Sequence, residues 1–69
     1  MNFNYSKLLG KMRECGYTQE KLAEDMQINK GTLNAKLNNK SDFTAPEMDC
    51  ICKLLEISSS EIGDYFFAL

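Results

Sequence analysis

Apolar residues recur at spacings of three and four along most of this chain, and this periodicity is the strongest constraint on its fold. Two stripes at positions i, i+3, i+4 and i+7 are Tyr5, Leu8, Leu9 and Met12, and later Met48, Ile51, Cys52 and Leu55. Such spacing places apolar side chains on one face of an α-helix. Sustained alternation of apolar and polar residues, which indicates strands, is absent. With 69 residues, the chain is predicted to be a single all-α domain covering residues 1–69.

The pattern predicts five helices, whose limits follow from capping residues and from breaks in the periodicity. The helices are predicted over residues 5–15, 19–26, 30–38 and 45–55, and from residue 59 onward. Side chains that can accept hydrogen bonds at the helix starts belong to Asn4, Thr18, Asn29, Thr44 and Ser58. Thr44 and Glu47 have the spacing of a capping box. Gly16 is well placed to end the first helix with a positive φ.

The segment from Thr18 to Lys40 carries most of the functional information. It contains two short helices joined by only three residues, and the first helix carries the small residue Ala23. A small side chain there lets the second helix pack across the first. The angle between the helices is predicted to be filled by Leu22, Met26, Ile28 and Leu33. The second helix then projects polar and small side chains outward, an arrangement suited to the DNA major groove.

The net charge of −2 hides an uneven distribution along the chain. Residues 1–40 hold seven basic and four acidic residues, whereas residues 41–69 hold one basic and six acidic residues. This difference predicts a molecule with one side suited to phosphates and another side that faces away from them. The alternative is two solvated faces of unlike sign without a bound partner.

The composition excludes several other classes of protein. The longest unbroken apolar run covers residues 65–69, far short of the roughly 20 residues of a transmembrane helix. The N-terminus lacks the apolar stretch of a signal peptide, so a cytoplasmic protein is expected. The chain has no histidine, so we expect no enzyme, metal or cofactor. We also expect buried, unpaired thiols at Cys15, Cys50 and Cys52.

Several motifs taken together resemble the Cro/repressor-type helix-turn-helix family. Residues 17–24, Ile28-Asn29 and Leu33 look like its helix-turn-helix, and residues 54–62 are similar to its closing segment. Residues 36–44 and 65–67 look like small phage-repressor-like proteins of low-GC Gram-positive phages and prophages. The resemblance covers most of residues 5–66. It implies a five-helix, lambda-repressor-like (XRE-like) domain that binds operator DNA and regulates transcription as a Cro-like repressor.

The same resemblance implies a set of DNA-binding residues on and around the second and third helices. Gln19 matches a glutamine that contacts phosphate, and Asn38 and Lys40 match a loop that touches backbone phosphates. Asn34 matches an outward position of the recognition helix, where it could read an adenine edge or face a phosphate or water. The full set is Thr18, Gln19, Asn29, Lys30, Gly31, Thr32, Asn34, Ala35, Asn38 and Lys40.

Three positions depart from the pattern of that family. Gln27 stands where glycine is frequent, so a non-glycine residue is expected to adopt a left-handed conformation. Lys36 stands where an apolar residue is frequent, and its stem is predicted to cover the core edge while its ammonium reaches solvent. Met12 and Leu37 replace a buried arginine–glutamate pair.

Three apolar residues at the chain end are difficult to bury: Phe67, Ala68 and Leu69. If they are exposed, they are expected to form a surface that binds a partner. The expected partner is a second copy of the chain, forming a homodimer at least on double-stranded DNA. No membrane and no small-molecule ligand are expected. The alternative function is a protein–protein interaction module, such as an anti-repressor or antitoxin-like protein, which the acidic net charge favours. The neighbouring carboxylates of Glu24 and Asp25 are interpreted as a solvated helix edge rather than a catalytic pair.

Overall fold

A computed structural model describes residues 2–69, and within that range the chain forms five α-helices and no strand. The helices are α1 (Ser6–Glu14), α2 (Gln19–Met26), α3 (Lys30–Leu37), α4 (Ala45–Leu55) and α5 (Ile62–Phe66), with a short 3-10 turn at Ser59–Glu61. The predicted all-α class and the limits of α2 and α4 are confirmed. α1 starts one residue later and ends one residue earlier than predicted, and α3 ends one residue earlier. The longest helix has 11 residues, and none of the described helices has the length and apolar content needed to cross a membrane.

All five helices contribute side chains to one apolar core. Its most deeply buried members are Leu8, Leu22, Leu33, Ile51, Leu55 and Phe66. The loop between α3 and α4 adds Phe43, whose ring packs edge-on against Tyr5 at 5.5 Å and against Phe66 at 5.4 Å between centroids. Full burial of each large apolar side chain contributes about 1.5–3 kcal/mol. The predicted core stripes of α1, α3 and α4 therefore face one shared interior.

The predicted capping residues begin α2, α3 and α4. Thr18 Oγ1 accepts a hydrogen bond from the backbone N–H of Lys21 at 3.1 Å. Asn29 Oδ1 accepts from Gly31 at 2.6 Å. The capping box is complete, because Thr44 Oγ1 accepts from the Glu47 N–H and the Glu47 carboxylate accepts from the Thr44 N–H. At α1, the Asn4 side chain accepts from the N–H of Ser6, although Tyr5 occupies the cap position.

Each of the helices α1 to α4 is followed, within two residues of its end, by a residue with a positive φ. These residues are Gly16 (77°), Gln27 (61°), Asn39 (61°) and Glu56 (56°). The residue that follows turns its N–H back into the helix, as the Ile28 N–H donates to the Ala23 carbonyl at 3.0 Å. The left-handed conformation predicted for Gln27 is confirmed. Because such a conformation costs a non-glycine residue about 1–2 kcal/mol, tertiary packing has to hold these turns.

Two predictions, one about the last helix and one about a thiol, are wrong. The last helix is predicted from residue 59 onward, but residues 59–61 form a 3-10 turn and α5 covers only Ile62–Phe66. Leu69 is 83% exposed, as expected for a residue that is difficult to bury. Cys15 is exposed instead of buried. Its position would extend the α1 stripe, but α1 ends at Glu14 and the chain turns away at Gly16. Cys52 is buried as expected, Cys50 is half-buried, and all three thiols are free.

α2 packs against α3, and Ala23 of α2 is only 2% exposed. Leu22 and Leu33 are fully buried beside it, while Met26 and Ile28 are half-buried against the same core. All four residues thus belong to the core that α2 and α3 share, and their packing in the angle between the two helices stays a prediction.

We expect Ala23→Leu to destabilise the fold by about 1–3 kcal/mol, because the added carbons have no space in a packed core. For a domain of this size, each kcal/mol lowers the melting temperature by about 4–8 °C. The control is Ala45→Leu, since Ala45 is exposed in the first turn of α4. Thermal unfolding monitored by circular dichroism measures both variants. Equal melting temperatures for both would contradict a tight contact at Ala23.

Candidate nucleic-acid interface

The outer face of α3 lies in the longest part of the chain that lacks acidic residues. Residues 26–41 contain three lysines and no aspartate or glutamate. The exposed side chains of this stretch belong to Gln27, Asn29, Lys30, Thr32, Asn34, Asn38, Lys40 and Ser41, with Gly31 also exposed. Ala35 is half-buried on the same helix. The site residues predicted on α3 and beside it are thus exposed, apart from the half-buried Ala35, and we call them the α3 face (residues 29–32, 34, 35, 38 and 40).

The two exposed lysines of the α3 face are free of ion pairs, unlike most other basic residues. Lys7, Lys11, Lys21, Lys36 and Lys53 each pair with a carboxylate. Within residues 2–69, Lys30, Lys40 and Arg13 make no such pair. Lys30 opens α3, and Lys40 follows its last turn. Their ammonium groups lie at the two ends of the α3 face, where anions can bind them without first displacing a carboxylate.

The prediction that the Lys36 ammonium reaches solvent is wrong. Lys36 is 8% exposed, and its Nζ lies 3.1 Å from Glu47 Oε1. The same ammonium donates a hydrogen bond to the carbonyl oxygen of Asp42 at 2.9 Å. The stem covers the core edge as predicted, but the first turn of α4 offers a carboxylate on the inner side. Lys36 is therefore a structural residue that ties α3 to α4.

Glu47 remains a carboxylate in this partly buried position. Burial raises the pKa of Glu47, but hydrogen bonds from the Thr44 backbone and from Lys36 outweigh that effect, so its pKa lies below the ordinary value. One side-chain oxygen thereby completes the α4 cap and neutralises Lys36. The capping-box spacing predicts the contact of Glu47 with Thr44. The contact of Glu47 with Lys36 depends on how α3 packs against α4.

Three side-chain amides form a row across α2 and α3. The Asn34 Nδ2 group donates to Gln19 Oε1 at 3.2 Å. The Asn38 Nδ2 group donates to Asn34 Oδ1 at 3.1 Å. The sequence placed all three among the predicted site residues, and the structure brings them into direct contact. We call this chain of hydrogen bonds the amide row (Gln19, Asn34 and Asn38).

Two other predicted site residues are engaged in helix capping. Thr18 and Asn29 each use a side-chain oxygen as an N-cap. The absence of a side chain at Gly31 also has a structural reason, because a Cβ atom there would lie 3.0 Å from Asn29 Oδ1. A side chain at position 31 would therefore press on the cap of α3 as well as cover the outer surface.

Glu24 is solvated as expected, whereas Asp25 is half-buried and bound by neighbouring side chains. Its carboxylate accepts a hydrogen bond from the Tyr17 hydroxyl at 2.8 Å and lies 3.1 Å from Lys21 Nζ. The hydrogen bond from Tyr17, supported by the one from Lys21, lowers the pKa of Asp25 below its ordinary value. Because Lys21 is paired with Asp25 and Glu24, it adds little free positive charge beside the α3 face.

Sequence reasoning missed the role of Asn39, which lies next to the α3 face. Its Oδ1 accepts from the N–H of Phe3 at 2.8 Å, and its Nδ2 donates to the carbonyl of Phe3 at 2.9 Å. Asn39 thus binds both polar groups of one backbone residue while it takes the positive φ that ends α3. An asparagine at a predicted helix end was the available signal, but the partner lies 36 residues away.

A second surface of note is apolar and lies near the end of α5. Phe67 is 49% exposed, and Leu69 is 83% exposed. Tyr65 and Phe66 are buried, as predicted for core residues. Phe67 also lines an open cavity of about 400 Å³ together with Phe3, Tyr5, Asp42, Phe43, Met48 and Phe66. We call Phe67 and Leu69, with the rim of this cavity, the apolar patch.

Comparison with known proteins gives one family. A family model described as "Protein of unknown function (DUF739)" matches residues 1–68. No curated protein matches the chain. The description of the family names no activity, so the function has to be argued from the residues of the site.

We expect Glu47→Gln to lower the free energy of unfolding at pH 7 by about 2 kcal/mol, because a charge-assisted hydrogen bond to Lys36 is lost. Glutamine keeps an oxygen for the Thr44 N–H. The depressed pKa of Glu47 stabilises the fold above the unfolded-state pKa, and this contribution disappears as the pH falls through the folded-state value. The difference between wild type and variant should therefore shrink below about pH 4.5.

Chemical denaturation at pH 7 and at pH 3 tests this expectation. Glu20→Gln serves as the control, since Glu20 is an exposed first-turn acid of α2 and makes no ion pair within residues 2–69. A Glu47→Gln deficit that is no larger than the Glu20→Gln deficit would show that the Lys36 pair does not stabilise the fold.

Proposed function

Because this chain belongs to the DUF739 family, whose description assigns no activity, we propose its function from its own residues: sequence-specific binding of double-stranded DNA in transcriptional regulation. In this proposal α3 is the recognition helix, and the α3 face enters the major groove. Lys30 contacts bases, while Lys40 and Gln19 contact phosphates. The resemblance to Cro/repressor-type proteins supports the further proposal of a Cro-like repressor of phage or prophage origin.

The observation that carries the proposal is the combination of free positive charge and small side chains on one helix. Lys30 and Lys40 have no carboxylate partner in the described part of the chain, and no acidic residue occurs within residues 26–41. Between the lysines, Gly31 and Ala35 have no side chain or a small one, so little bulk projects from α3 there. A helix of this kind can approach base edges closely, so that Lys30 reaches bases while Lys40 contacts a phosphate.

The distribution of acidic groups fits an orientation in which DNA lies against α3 and away from α4 and α5. Six of the ten acidic residues lie in residues 41–69. Glu47, the one nearest to α3 in its contacts, is neutralised by Lys36. In this proposal the acidic half faces away from the DNA. The total charge of −2 is compatible with DNA binding for this reason.

We also propose that two copies of the chain bind one palindromic site through the apolar patch. One recognition helix reads only one half-site, and dimeric proteins of this type place two helices about one DNA turn apart. Phe67 and Leu69 are the large apolar residues that stay exposed within residues 2–69. Burial of their surface against a second copy would contribute about 25 cal/mol per Å².

The alternative function is a protein–protein interaction module that uses the same fold, as in an anti-repressor or an antitoxin. The exposed apolar patch and the acidic half favour it. The two functions differ in one measurable property, since DNA binding through phosphates weakens steeply with salt. Selection of bound sequences from a random DNA pool, followed by a salt titration, separates them. If the selection recovers no DNA sequence and the chain shows no salt-dependent DNA binding, the protein–protein interaction module is favoured.

We expect Lys30→Ala and Lys40→Ala to weaken binding to a selected DNA site, and Lys53→Ala to leave it nearly unchanged. All three variants remove one positive charge, and Lys53 is an exposed residue of α4 paired with Asp49. Loss of a base contact at Lys30 should cost about 1–3 kcal/mol. Loss of a phosphate contact at Lys40 should reduce the slope of log K against log salt by about 0.9. Equal losses for Lys30→Ala and Lys53→Ala would place the interface elsewhere.

We expect Leu69→Gln to reduce cooperative binding to a palindromic site without lowering the melting temperature. Leu69 is 83% exposed, so its substitution removes little from the fold. Truncation would be a poorer test, because the Ala68 carbonyl accepts from the Asn4 N–H and the Phe67 ring packs against Phe3. Leu69→Met, which keeps the apolar surface, is the control. Identical binding steepness for Leu69→Gln and wild type would argue against this dimer contact.

A further inference from the structure

We propose that the cavity beside the end of α5 is a binding site for a small organic cation with an apolar body. Seven residues line this space, which we call the aromatic cavity (Phe3, Tyr5, Asp42, Phe43, Met48, Phe66 and Phe67). Its lining shares no residue with the α3 face, and the proposal does not depend on DNA binding. It departs from the expectation of no small-molecule ligand, because the N-terminal segment, the α3–α4 loop, α4 and α5 bring these side chains together only in the fold.

Most of the aromatic residues of the chain meet at this cavity. All four phenylalanines line it, together with one of the three tyrosines. The Phe43 ring stands at 87° to the Tyr5 ring and at 78° to the Phe66 ring. The Phe3 and Phe67 rings stand at 84° to each other, so the walls of the cavity have different orientations. Because the face of an aromatic ring carries partial negative charge, a cation that enters is attracted by each ring whose face it meets.

The burial of the lining residues gives the cavity a closed floor and an open mouth. Tyr5, Phe43 and Phe66 are buried, Phe3 and Met48 are half-buried, and the other two lining residues are exposed. The volume of about 400 Å³ lies within the range of roughly 300–1,000 Å³ that is usual for small-molecule sites. A buried aromatic floor can take up the apolar body of such a molecule, while its charged group stays near the exposed mouth.

Asp42 is the charged side chain of the lining. Its carboxylate makes no ion pair within residues 2–69. The Lys36 ammonium binds the backbone carbonyl of Asp42 and is already paired with Glu47. Burial raises the pKa of the Tyr5 hydroxyl, and the negative charge of Asp42 raises it further. The charge of Asp42 therefore acts on the buried side of the cavity, where the described residues offer it no counter-charge.

These features favour a cation over the other classes of ligand. An anion would be repelled by the Asp42 carboxylate. A neutral apolar molecule would displace water from that carboxylate without compensating its charge. A small cation fills the apolar space, pairs with the carboxylate and contacts ring faces. Because methyl groups on an ammonium combine positive charge with apolar surface, quaternary ammonium compounds are the class that this lining fits.

Choline is a suitable probe, because its carbon analogue 3,3-dimethyl-1-butanol has the same shape and no charge. Each compound is titrated into the isotopically labelled full chain, and the backbone amide signals of Phe3, Phe43 and Phe67 are followed by NMR. Choline chloride replaces sodium chloride at constant ionic strength, so that electrostatic screening stays the same. Choline should bind saturably and about tenfold more tightly than the alcohol, in line with a partly desolvated cation–π contact. It should also raise the melting temperature, since it binds the folded chain.

Two pairs of variants test the carboxylate and the ring separately. Asp42→Asn keeps the shape of the side chain and should remove most of the preference for choline over the alcohol. Glu20→Gln removes the same charge from an exposed position of α2 and should leave that preference unchanged. Phe67→Leu should weaken choline binding several-fold, because one ring is lost, whereas Phe67→Tyr keeps the ring and should retain it. The melting temperature of each variant without ligand is compared with that of wild type, so that a loss of fold is not mistaken for a loss of binding.

Three results would overturn the proposal. If choline and the alcohol bind equally well, or if Asp42→Asn keeps the full preference for choline, the cavity does not recognise a cation through its carboxylate. If the amide signals of the cavity change with protein concentration while choline shifts none of them, a second copy of the chain occupies the cavity and the cation site is wrong. None of these results depends on salt-dependent DNA binding, so a failure of this proposal is distinguishable from a failure of the proposed function.

Discussion

The packing of α2 against α3 determines the geometry of the proposed DNA interface. Leu22 of α2 and Leu33 of α3 are both fully buried in the shared core, and Ala23 of α2 is 2% exposed. With Leu33, Lys36 and Leu37 buried, the exposed positions of α3 are residues 30–32 and Asn34. The face that carries Lys30, Asn34 and Asn38 is therefore a consequence of core packing and not of any interaction on the surface.

Electrostatic pairing then decides which positive charges remain available on this face. Of the three lysines in the acid-free stretch, Lys36 is turned inward to Glu47 and the Asp42 carbonyl. A buried ion pair is not in itself strongly stabilising relative to an apolar contact. The Lys36–Glu47 pair joins α3 to the first turn of α4. It also makes Lys36 a structural residue that is not available to bind anions. Lys30 and Lys40 are left at the two ends of the outer face.

The N-terminal segment joins the two surfaces to which we assign functions. The backbone of Phe3 is held by the Asn39 side chain at the end of α3. On its other side, the Phe3 ring meets the Phe67 ring at 5.5 Å, and the Asn4 N–H donates to the Ala68 carbonyl at 2.7 Å. Residues 3 and 4 thus contact both the loop beside the α3 face and the chain beside the apolar patch.

The sequence by itself determined the helices, their caps and most of the core, because these features depend on local spacing and on side chains within one turn. Thr18, Asn29 and Thr44 act as caps. The positive φ at Gln27 agrees with the resemblance to a family in which glycine is frequent at that position. The sequence also identified Gln19, Asn34 and Asn38 as members of one candidate site. Only the tertiary structure decided that the three amides touch. The same holds for Lys36, whose ammonium turns inward, and for Asn39, which binds Phe3 from 36 residues away. These interactions join elements that are distant in sequence, and their partners depend on how the helices pack, which local periodicity does not encode.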